Sequence, residues 1–186
     1  MMSLLEQLLV LCALSSIPFS YGQRCNLFAR PTTWQEWSIS FTIAVMHFLF
    51  VLLGTLLGRW IIGFSGSMAF ALGVATMVMV GVRMVFDALK RDFEERAFKL
   101  GDPMALFFLS FVASVNLFIL SIGLVVFVNE VWLLGGMAFV VSLLATLLGI
   151  RLGRTPSRYK VGKIAMIIGG VVLVLIALTH LFHAYL

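Results

Sequence analysis

His47, Ser114 and Asn116 are isolated polar side chains in long apolar runs: AVMHFLFVLLG surrounds the histidine, and ASVNLFILSIGL surrounds the serine and asparagine. An imidazole nitrogen, a hydroxyl and an amide carbonyl can each hold a hydrogen bond or a cation. Placing such groups in hydrocarbon is costly, so each is expected to face a partner or a polar path. Ser15 and Ser16 add two hydroxyls to another apolar run, just before Pro18. Arg83 and Asp87 stand four apart, the spacing that lets opposite charges pair on one helix face. The simpler roles are interhelical hydrogen bonds for His47 and Asn116, and reach to the headgroups for Arg83. No Asp or Glu falls in the central third of any apolar run, so a site at mid-membrane could offer only amide, hydroxyl, imidazole and backbone groups. No nucleophile–base pair or metal triad stands out, so an enzyme is not expected and no cofactor is implied.

The elements that must position these residues are helices that cross a bilayer. The chain has 186 residues, 62% hydrophobic and 11% charged, with a mean hydropathy of +1.11. That composition excludes an ordinary soluble domain, and the net charge of +5 carries no implication of nucleic acid because the charges cluster between apolar runs. Six runs reach the length of about 20 residues that a spanning helix needs: Leu4–Tyr21, Ser38–Gly58, Gly66–Ala88, Met104–Phe127, Val131–Ile150 and Gly162–Ala184. The fold class is therefore an all-α integral membrane protein, one membrane domain over residues 1–186 in contact with the lipid bilayer. Trp34, Trp37, Trp60 and Trp132 read as interfacial belt residues. Two cysteines without CxxC spacing, Cys12 and Cys25, make neither a disulfide framework nor a metal cluster.

Twelve of the thirteen Lys and Arg lie in or beside the first, third and fifth connections, and Arg59 alone lies in the second. The positive-inside rule then places the odd connections in the cytoplasm and both termini on the outer, periplasmic side of a cell inner (plasma) membrane. The same bias argues that the first apolar run is retained rather than cleaved as a signal peptide, since Glu6 stands where a positive n-region would be expected. The mixed-charge stretch Lys90–Arg96 reads as a solvated helix extension or loop.

The octet LLGTLLGR at Leu52–Arg59 returns as LLGIRLGR at Leu147–Arg154, with six of eight positions identical. Three crossings separate the copies, so they run in opposite senses. The expectation is a 3+3 inverted repeat, about residues 4–90 and 103–185, as in secondary transporters whose two halves alternate access to a site at the midplane. Gly54/Gly58 and Gly149/Gly153 also have the GxxxG spacing that permits close helix packing, which is a purely structural reason for part of the match.

Four stretches carry a family resemblance: AVMHFLFVLLG (Ala44–Gly54), GVRMVFDALK (Gly81–Lys90), ASVNLFILSIGL (Ala113–Leu124) and GGVVLVLIALTHLF (Gly169–Phe182). In this order and spacing the sequence resembles the MntP-type manganese efflux pumps, small six-helix proteins related to the LysE-like exporters. The resemblance runs from about Phe41 to Phe182. It implies a multi-pass transporter exporting manganese or a related divalent cation, with Ser15, Ser16, His47, Ser114 and Asn116 lining the substrate path. It also implies Arg83 and Asp87 as an ion pair or inner gate. The departures fall on the chemistry. The family's two Ser-x-Asp-Ala segments carry acids, whereas this chain has Asn116 after Ser114 in one and Ser15-Ser16-Ile17-Pro18-Phe19 in the other; a Glu position is His47. Metal contact would then rest on His47 and Asn116, neither of which brings negative charge. The alternatives are a non-transporting structural or accessory subunit, with a membrane-complex partner or as a homodimer, and a changed substrate such as a small neutral or anionic solute.

Overall fold

The structure is a computed structural model that describes residues 2–28, 31–65, 68–90, 103–128, 130–154 and 159–185. The mixed-charge stretch after Lys90, together with Arg30 and Arg158, lies outside the described residues. Six helices make up the fold: α1 (Leu4–Phe28), α2 (Thr33–Ser65), α3 (Ala69–Leu89), α4 (Pro103–Leu124), α5 (Val131–Leu152) and α6 (Tyr159–Tyr185). Each is long and apolar enough to cross a membrane, and no strand occurs among the described residues.

Two helix starts are written in the sequence as reciprocal caps. The Ser3 backbone N–H donates to Glu6 Oε2 at 2.7 Å and the Glu6 N–H to Ser3 Oγ at 3.2 Å, opening α1. Thr32 and Gln35 repeat the exchange before α2, at 2.9 and 3.4 Å. The ends differ from the apolar runs. α1 continues through Pro18 and past Tyr21, because the next turn buries Gln23 against the backbone of Gly153. α2 passes Gly58 to reach Ser65, because that glycine faces a neighbouring helix and does not terminate its own. α4 stops at Leu124, and residues 125–127 form a turn.

Lipid tails offer no hydrophobic drive between helices, so association depends on close packing. α2 lies along α4 and α5 lies along α1. α3 meets α4 and α6 meets α1. α2 crosses α5, and α3 crosses α6. Exchanging α1, α2 and α3 for α4, α5 and α6 returns the same set of principal contacts. α2 and α5 run antiparallel: the Phe41 ring meets Phe139 at 5.8 Å, and Phe48, nearer the other end of α2, meets Trp132 at 6.5 Å. Arg59 and Arg154, near the C-terminal ends of these two helices, therefore lie toward opposite faces of the bundle. Val10, Met77, Leu120 and Leu173 are fully buried between helices, whereas Leu56, Phe86 and Phe182 point outward, as does each of the four tryptophans.

Candidate functional site

Position along the apolar spans serves as the measure of depth. His47 is next to the centre of the α2 span Thr33–Gly63, Asn116 next to the centre of Leu106–Leu124, Ser15 at the centre of Leu4–Cys25 and Ser142 at the centre of Val131–Leu152. The α2 and α4 helices run parallel here, held by Phe50, whose ring packs edge-on against Phe111 at 5.2 Å and Phe118 at 5.7 Å. This juxtaposition brings His47 to Ser114. His47 is buried, and its Nδ1 is 2.8 Å from Ile43 O. A carbonyl can only accept, so that bond assigns the proton to Nδ1 and leaves the lone pair on Nε2. Ser114 Oγ lies 3.5 Å from the same Nδ1 and donates its own proton to Ser110 O at 2.7 Å. The hydroxyl oxygen thus turns its lone pairs toward the imidazole.

Asn116 is buried on a different stripe of α4. Two residues turn a helix by about 200°, which takes Asn116 away from His47 and onto the line of Leu120, Gly123 and Phe127. That line faces α3, where a Cβ on Gly73 would stand 2.5 Å from the Phe127 ring. Asn116 Oδ1 is buried with no hydrogen-bond partner. An unpaired buried carbonyl costs about 1–3 kcal/mol, so it marks a place where the fold leaves an acceptor open. Ser15 and Ser16 donate to Cys12 O and Ala13 O, both at 2.7 Å. Ser16 faces α6, where a Cβ on Gly169 would be 2.9 Å from its Oγ. Neither serine makes a described contact with His47 or Asn116. Among the described residues no three of His, Cys, Asp and Glu converge.

The glycines of the repeated octets serve the scaffold around this centre. A Cβ on Gly54 would lie 2.6 Å from Phe118 O, and one on Gly153 would lie 2.6 Å from Gln23 O; Gly58 and Gly149 abut the carbonyls of Ile122 and Phe19 in the same way. Arg83 and Asp87 pair at 3.7 Å on α3, with side chains 43% and 26% exposed. They line an open groove along that helix with Met79, Phe86 and Lys90, and among the described residues the pair bridges within α3.

An ion pair that joins two helices is one the sequence reading missed. Arg154, just past α5, donates to the carboxylate of Glu36 in the first turn of α2. Ser40, fully buried with an unpartnered Oγ, and Ser142, buried on α5, were also missed. Ser142 had a signal: it lies ninety-five residues after His47, the spacing of the two octets.

Comparison with known proteins places these residues in a lineage. A family model described as "Putative manganese efflux pump" matches residues 30–181. A protein named "Putative manganese efflux pump MntP" from Bacillus pumilus (strain SAFR-032) is 26% identical over 144 residues, covering 77% of each chain. One of the same name from Bacillus cereus (strain G9842) is 26% identical over 144 residues, covering 77% of this chain and 78% of its own. No solved structure matches.

Proposed function

The chain belongs to the Mntp family, and from that premise we propose that it exports manganese, or a divalent cation of like chemistry, across the inner (plasma) membrane. The observation that carries the reading is Asn116 Oδ1, a carbonyl oxygen held open at mid-membrane with no protein partner. A hard divalent cation seeks oxygen ligands of that kind. His47 and Ser114, on the opposite side of α4, supply an imidazole Nε2 and a hydroxyl oxygen. These stations are neutral and lie on different faces of α4, so they suit passage along a path better than capture in a cage. Weak retention serves an exporter, which must release its cargo.

Alternating access needs two halves that can exchange roles. On this reading the halves are α1 to α3 and α4 to α6, an inverted repeat supported by the octets and by a contact set that survives the exchange of halves. The Lys and Arg distribution supports both termini on the outer side. Arg83 and Asp87 then stand near the inner end of α3, beside the path's cytoplasmic mouth.

The test is growth of an exporter-deficient bacterium in excess manganese, with cell manganese measured, carrying the wild-type gene, Asn116→Leu or no gene. Rescue by the wild type alone, with lowered cell manganese, is the expected result. Equal growth and equal manganese in all three would remove the assignment.

A further inference from the structure

One face of α2 reads Glu36, Ser40, Ile43 and His47, a stripe that descends from the end of the helix to its middle. At the top, the Glu36 carboxylate is 3% exposed and takes its counter-charge from Arg154, whose own side chain is 51% exposed. Beneath the pair, Cys25, Ile39, Ile43 and Ile150 form a small apolar cluster of their own, separate from the main core, with Leu106 packed against it. Four helices, α1, α2, α4 and α5, thus meet under one ion pair. At the bottom, Ile43 contributes the carbonyl that fixes His47. Between the ion pair and the histidine, Ser40 keeps a buried hydroxyl without a partner.

We propose that Glu36 and Arg154 form the lock that closes this face of the protein over His47 and Ser114. The lock serves the export reading, on which it rests for its purpose. A buried carboxylate is tolerated only with its partner; without it, the group must draw in water. Parting the end of α5 from the start of α2 would let water reach Glu36 and would also uncover the apolar cluster. The opened stripe then offers a carboxylate, a free hydroxyl and an imidazole in descending order, a hydrated track to mid-membrane. Arg154 occupies the one buried carboxylate on this stripe, so the closed state also withholds the group that would draw a cation inward.

The native Cys25 thiol reports the lock directly. It is buried in the cluster and donates to Tyr21 O at 3.4 Å. In a Cys12→Ser background it is the sole thiol. Its modification by a membrane-impermeant methanethiosulfonate reagent is followed in proteoliposomes, with manganese flux measured on the same preparations. Glu36→Gln and Arg154→Gln are each expected to speed modification roughly tenfold by raising the open population, and the exchanged pair Glu36→Arg with Arg154→Glu to return it toward the parent rate. Unchanged rates in both single variants would overturn the lock, as would an exchanged pair that reacts as fast as either single variant. If modification responds as expected while no preparation moves manganese, the lock stands and the export assignment falls. If the parent moves manganese and modification never changes, the reverse holds.

Discussion

The α2–α4 and α1–α5 interfaces use one packing device and carry different chemistry. In the first, Gly54 and Gly58 rest on the carbonyls of Phe118 and Ile122; in the second, Gly149 and Gly153 rest on those of Phe19 and Gln23. Four residues separate each pair of glycines and each pair of carbonyls. At mid-membrane the first interface holds His47 against Ser114, whereas the corresponding positions on α5 and α1 are Ser142 and Ser15. Backbone approach is a geometric requirement that tolerates no added atom, so it is the same on both sides. The polar groups beside it can differ between the two interfaces without disturbing the bundle, and of these four positions only His47 is an imidazole.

The strongest way to break that comparison is to add bulk to the shared device. Gly149→Leu and Gly58→Leu should each cost about 3 kcal/mol, the upper range for overpacking, and more where backbone must move. Loss of the monodisperse peak on size exclusion and a fall in melting temperature would report it. Gly136→Leu, with nothing near its Cβ position, should leave both unchanged. A protein that tolerates Gly58→Leu but not Gly149→Leu would show that the two interfaces are not equivalent.

The chemistry can be sharpened next. Asn116→Asp restores an acid at an open acceptor, and manganese binding should tighten roughly tenfold, about 1.4 kcal/mol, in a titration on purified protein. The asymmetry between the interfaces predicts that His47→Ala lowers manganese flux by about tenfold, while Ser142→Ala stays within about twofold. Equal losses would mean that both interfaces carry the path. The smallest effect belongs to the exposed pair on α3. Arg83→Gln should change stability by about 0.5 kcal/mol, or about 1–2 °C in melting temperature for a chain of this size.

The six helices were legible because apolar length is a local property, and the glycine device because it is a repeated string. Helix ends were less so. Gly22, Gln23 and Arg24 read as the start of a connection, yet Gly22 and Gln23 are buried against α5; nothing local in the sequence marks that burial. The approach of Ser114 to His47 required knowing that α2 and α4 run side by side in one direction. The partnership of Glu36 with Arg154, 118 residues apart, required knowing that α5 ends where α2 begins. Helical periodicity names the face a residue lies on and leaves open which helix it meets. Asn116 illustrates the limit: its two-residue spacing from Ser114 already placed it on another stripe, but that its oxygen lacks a partner depends on every neighbouring helix.

The length of α2 has a consequence for the surroundings of the protein. Thirty-three residues at about 1.5 Å each extend about 50 Å, against a hydrocarbon layer of about 30 Å, whereas α5 has only 22 residues. The longer helix must lean or project, and its lean follows bilayer thickness. Since α2 carries His47, Ser40 and Glu36 together, acyl-chain length acts as a mechanical input on the very helix that bears the polar groups, and thick or thin lipid will favour different tilts of it.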